Sequence, residues 1–142
     1  MISKYILFFV FSFILIIKCE ITIKDPKKFI SSVVIDTGGD FKYILMEMVN
    51  KTNPMDYKYL VRGCQDFYYH KKIYYDFMQK SVYKYPDIYM NFDFNVLGGG
   101  RISFLGNEIM VYGESGVYGR ANHKLTCNLL KKFFVNYNII DS

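Results

Sequence analysis

Tyr57-Lys58-Tyr59-Leu60-Val61-Arg62, then Gly63-Cys64-Gln65-Asp66, then Phe67-Tyr68-Tyr69-His70-Lys71-Lys72-Ile73 is the stretch from which the rest of the chain can be ordered. The first six residues are aromatic or β-branched at alternate places, which reads as a strand. Gly63 to Asp66 is a turn, and Asp66 can cap a following helix. From Phe67 to Tyr83 the apolar residues Tyr69, Ile73, Phe77 and Met78 recur at helical spacing. That helix must stop before Pro86, whose ring excludes the helical conformation of the residue before it.

Downstream, Asp87 to Phe94 places Ile88, Met90, Phe92 and Phe94 on one face, the period of a half-buried strand. Gly98-Gly99-Gly100 reads as a turn before a third strand. Ile102–Leu105 and Glu108–Tyr112 flank Gly106-Asn107, a hairpin with glycine first. Gly113 to Gly119 is a loop, and Ala121 to Asn136 is a closing helix with Leu125, Leu129, Leu130, Phe133 and Phe134 inward. The order is strand–helix–strand, hairpin, helix. A right-handed crossover then puts both main helices on one face of a mixed sheet. This is an α/β (α+β) domain with a thioredoxin-like βαβ-ββα arrangement over residues 57–142.

Upstream, residues 20–56 read as a lead-in. Asp40 is a good N-cap, and Phe41, Ile44, Leu45, Met48 and Val49 follow at helical spacing, giving a short amphipathic helix of about ten residues. Residues 1–19 read as a signal peptide. Lys4 supplies its positive end, and Ile6 to Ile17 is apolar apart from Ser12. That run is too short for a membrane span of roughly 20 residues, so the mature chain is expected to carry no transmembrane segment. The expected location is the endoplasmic reticulum lumen or the cell exterior.

Cleavage would remove Lys4 and Lys18 and no acid, lowering the net charge from +5 to +3. Such a mild excess, spread along the chain, is no footprint for nucleic acid. Three cysteines, one of them Cys19 in the leader, do not make a disulfide framework, so an apolar core must hold the domain. Asn50-Lys51-Thr52 is a glycosylation acceptor sequence.

Cys64 stands between a strand and a helix, where helix N–H groups favour a thiolate. With Tyr59 to Gly63 before it, Phe77-Met78 in the helix, and Tyr85-Pro86-Asp87-Ile88 beyond, the segment resembles the redox segment of the selenoprotein T and selenoprotein W (Rdx) family. The resemblance extends through the hairpin to about residue 138. It implies thiol–disulfide chemistry through Cys64, with protein thiols, disulfides or glutathione as partners and no cofactor. It also implies that the second cysteine or selenocysteine position falls on Phe67 or Tyr68, so the chemistry would be weak or monothiol. The alternative is a non-catalytic binding module on the same scaffold. His70 and His123 are isolated, with no Cys or carboxylate at metal-ligand spacing, so no metal is expected.

Overall fold

Phe41, Tyr43 and Leu45 are buried in one apolar cluster and Ile44, Met46 and Met48 in another, and this alternation identifies a strand covered on both faces. The computed structural model describes residues 23–142; the signal-peptide reading of residues 1–19 lies outside them. The elements are α1 (Pro26–Phe29), β1 (Val33–Ile35), β2 (Gly39–Asn50), β3 (Asn53–Cys64), α2 (His70–Phe77), α3 (Pro86–Tyr89), β4 (Phe92–Leu105), β5 (Glu108–Tyr112), α4 (His123–Phe133) and β6 (Asn138–Asp141). A π-helical turn, Met78–Val82, extends α2.

The strands form one mixed six-stranded sheet in the order β1-β3-β2-β4-β5-β6. The outer pairs β1–β3 and β5–β6 are parallel, and the inner pairs are antiparallel. The mixed α+β class therefore holds, and so does the hairpin at Gly106-Asn107, where Leu105 faces Glu108 and Gly106 adopts a φ of 60°.

Several expectations are corrected. Residues 39–50 are the central strand β2, where the sequence reading placed a helix. A strand buried on both faces presents an apolar run without a clean period of two, which matches helical spacing by accident. The pairing expected of a thioredoxin-like domain, Tyr57–Arg62 beside Asp87–Phe94 in parallel, is not formed. β3 pairs with β1 and β2, residues 86–89 are helical, and β4 pairs with β2 and β5.

The main helices also lie on opposite faces. α2 packs through Ile73 and Phe77 with Ile44, Met46, Met48 and Phe94, whereas α4 packs through Cys127 and Leu130 with Tyr43, Leu45, Ile102 and Val111. Each face is thus covered by its own helix, and each buries a full apolar layer at about 25 cal/mol per Å² removed from water.

The long strand β4 reverses its faces midway. Met46 opposes Val96 and Leu45 opposes Gly98, which leaves Leu97 without a partner as a bulge. Before it, Phe92 and Phe94 face α2; after it, Ile102 and Phe104 face α4. The three glycines read as a turn are instead the part of β4 just beyond this bulge.

Candidate functional site

Gly99 is where two elements reach the sheet from the α2 side. A Cβ on Gly99 would lie 2.8 Å from His70 Cδ2 and 2.9 Å from Ser115 Cβ, so only glycine lets the imidazole and the serine lie against the strand. β5 ends at Tyr112, and the chain then bows out through Gly113–Gly119 before Arg120 pairs with Gly99. Gly99 N–H donates to Gly119 O at 3.0 Å, and Ala121 N–H donates to Gly99 O at 3.0 Å. The buried Ser115 hydroxyl accepts from Val117 N at 3.3 Å and Tyr118 N at 3.1 Å, holding the loop in a serine turn.

His70 is the first residue of α2, and its ring is buried, at 7% exposure. Its Nε2 lies 2.9 Å from Gly100 O. A carbonyl only accepts, so Nε2 carries the proton and Nδ1 keeps the lone pair. Nδ1 makes no hydrogen bond among the described residues and is not sealed from solvent by them. Burial is the main cause that pushes the His70 pKa below its ordinary value, opposed by the Gly100 bond and reinforced by the charges of Lys42 and Arg101. The ring is therefore a neutral base at physiological pH.

The surroundings suit an anion. Lys42, on the α2 side of β2, stands in a cleft of about 580 Å³ with His70, Lys71, Lys72 and Gly116. Its ammonium lies 5.4 Å from the centre of the Tyr68 ring. Arg101 faces Lys42 in the neighbouring strand, but its guanidinium is engaged by Asp40, whose carboxylate also accepts from the Tyr112 hydroxyl. Lys42 is thus the cleft's cation on the sheet. Tyr69, which precedes α2, supplies no side-chain cap, and the N–H groups of His70 and Lys71 have no acceptor among the described residues. Unpaired first-turn N–H groups and the helix dipole together attract a phosphoryl group.

The residues singled out from sequence lie elsewhere. Cys64 is the last residue of β3, six positions before the helix whose start it was expected to adjoin. Asp66 N–H lies 3.4 Å from its sulfur, but burial above all, with the carboxylates of Asp36 and Asp66, raises its pKa. Phe67 and Tyr68 fall in the loop between β3 and α2, and Tyr68 walls the anion cleft. Cys64 lines a separate cavity of about 510 Å³, beside Arg62 and Phe77.

Arg62 is buried there, with its guanidinium given to the carbonyls of Ser31, Ser32 and Val61. Burial lowers its pKa to about 10. Cys127 is buried in α4 and pushed up to about 11, again by burial. Asn50 closes β2, with its amide donating to Asp56 at 3.1 Å and its oxygen accepting from Thr52.

From sequence His70 reads only as an isolated ring. The signal that could have found it is the run of three glycines in an otherwise strand-like segment, which marks a close approach by another group.

Comparisons with known proteins identify the family. The model of the Janus/Ocnus family matches residues 27–138. The chain is 34% identical over 116 residues to the 14 kDa phosphohistidine phosphatase of Sus scrofa, covering 78% of this chain and 87% of that protein. Identity to the 14 kDa phosphohistidine phosphatase of Homo sapiens is 33% over 116 residues, covering 78% and 88%. Identity to the sex-regulated protein janus-A of Drosophila pseudoobscura pseudoobscura is 35% over 114 residues, covering 75% and 71%. These matches overturn the selenoprotein T/W (Rdx) resemblance and, with it, the redox function through Cys64 and the thiol partners it implied. The match runs from α1 through α4, most of the chain, and this chain belongs to the Janus/Ocnus family.

Proposed function

We propose that this protein is a phosphatase acting on phosphohistidine. The observation that carries the reading is the tether of His70 Nε2 to Gly100 O at 2.9 Å, which leaves Nδ1 as a neutral base at the start of α2. The relatives named as phosphohistidine phosphatases support the substrate. The phosphoryl group would rest on the His70 and Lys71 N–H groups, with Lys42 balancing its charge. Nδ1 takes a proton from a water whose oxygen attacks phosphorus. The phosphorus–nitrogen bond breaks, its electron pair passes to the leaving imidazole nitrogen, and that nitrogen takes a proton from solvent, to which His70 returns the one it accepted. The products are inorganic phosphate and a histidine side chain. The protein's share is positioning, proton transfer and electrostatic stabilisation.

The test is release of inorganic phosphate from a chemically phosphorylated histidine peptide. Wild-type protein should release phosphate, and His70→Gln should lower kcat/KM by about 10²–10⁴-fold, the usual contribution of a general base. Circular dichroism would check that the variant is folded. A folded His70→Gln protein with the wild-type rate, or a wild-type protein inert on the peptide, would refute the proposal.

A further inference from the structure

The cleft is larger and more aromatic than a phosphoryl group requires. Beyond His70, Lys42 and the α2 N–H groups, its walls are Tyr68, Tyr69, Tyr75 and Val117. These are among the exposed large hydrophobic residues of the domain, at 77%, 62%, 58% and 59% exposure. The Tyr68 and Tyr69 rings meet edge to face at 4.9 Å, forming a continuous shelf. Four exposed apolar or aromatic side chains around one opening are a contact surface, because such patches are otherwise costly to leave in water.

The charge at the mouth has one sign. Lys71 and Lys72 are exposed on the first turn of α2, Lys42 lies deeper, and Glu114 is the single acid among the lining residues. A cleft of about 580 Å³ is in the size range that accommodates a ligand several times larger than phosphate.

We infer that this shelf binds the peptide segment carrying the phosphorylated side chain, and that it selects segments with acidic residues beside that side chain. The inference rests on the phosphatase reading and names the substrate class within it. Tyr69 and Tyr75 supply stacking and apolar contact to the peptide, and Lys71 and Lys72 pair with flanking carboxylates. Free phosphohistidine meets the same His70 and Lys42 but gains nothing from the shelf.

The experiment compares three substrates with the full protein: free phosphohistidine and two peptides of one sequence, with the phosphohistidine flanked by aspartates in one and by lysines in the other. Wild-type kcat/KM should favour the acidic peptide by tenfold or more, and the preference should shrink in high salt. Lys71→Glu with Lys72→Glu should reverse it. Tyr69→Ala with Tyr75→Ala should raise KM for the acidic peptide five- to twentyfold and lower the peptide-to-free-substrate ratio of kcat/KM.

Restoring the rings alone, with Tyr69→Phe and Tyr75→Phe, should recover most of that ratio. Equal rates on the two peptides within twofold would overturn the inference while leaving the phosphatase reading standing. So would variants that change all three substrates alike. Wild-type protein inert on every substrate would remove both.

Discussion

The Nε2–H of His70 donates to the carbonyl of Gly100 across 2.9 Å, joining the first residue of α2 to the middle of β4. On the other face of the sheet, a Cβ on Gly100 would lie 2.9 Å from His123 Nε2. The glycine run therefore sits between two imidazoles, and each side tolerates no added methyl group. His123 Nε2 is the one buried side-chain nitrogen or oxygen without a partner among the described residues. The base-bearing ring, by contrast, is held by a bond that fixes its tautomer.

That bond makes the pH dependence of the proposed reaction predictable. Burial first, then the charges of Lys42 and Arg101, lower the His70 pKa from its ordinary value of about 6.5. A general base works when neutral, so kcat/KM should rise with pH through an acid limb whose midpoint lies below pH 6.5. Lys42→Ala removes a repelling charge and should move that midpoint upward. It should also cost about 10–100-fold in kcat/KM through the lost charge on the phosphoryl group. Measured pH–rate profiles of the two proteins decide this; a midpoint that moves down, or not at all, would contradict the role of Lys42.

Gly99→Ala tests the packing that brings the site together. Its new Cβ would meet Tyr43 O at 2.9 Å as well as His70 and Ser115, and a backbone oxygen in a central strand cannot give way cheaply. Overpacking of this kind costs about 1–3 kcal/mol. Thermal unfolding should show a drop of several degrees, and phosphate release should fall further than stability explains, because the imidazole is displaced. Wild-type Tm together with wild-type turnover would show that the contact is not restrictive.

Cys64→Ser separates the corrected function from the earlier redox expectation. Cys64 lies in the cavity beside Arg62, away from the His70 cleft, and its thiol is held in the protonated form by burial and by Asp36 and Asp66. The substitution should leave phosphate release within twofold of wild type. Iodoacetamide at pH 7 should label Cys64 no faster than an unperturbed thiol of pKa about 8.5, and Cys127 more slowly still. A rapidly labelled Cys64, or loss of turnover in the serine variant, would count against this account.

The sequence by itself determined the local chemistry. The β3 strand, the helix over Ile73 and Phe77, the Gly106-Asn107 hairpin and the inward placing of Leu125, Leu129, Leu130 and Phe134 are each written in short-range periodicity and turn residues, whereas Phe133, expected inward, is exposed. Only the tertiary structure decided the rest. Residues 41–48 carry apolar side chains on both faces, so their strand character shows once α2 and α4 cover the two sides. The bulge at Leu97 inverts the faces of β4, so no single period runs through it, and three glycines that read as a turn continue the strand.

The site follows from the same cause. His70, Lys42 and the Gly113–Gly119 loop are distant along the chain, and the packing of the helix and loop against one strand brings them together at Gly99. Cys64 drew attention because a thiol beside a turn has recognisable chemistry. An imidazole becomes a base with a defined lone pair only when the fold supplies the carbonyl that holds its other nitrogen.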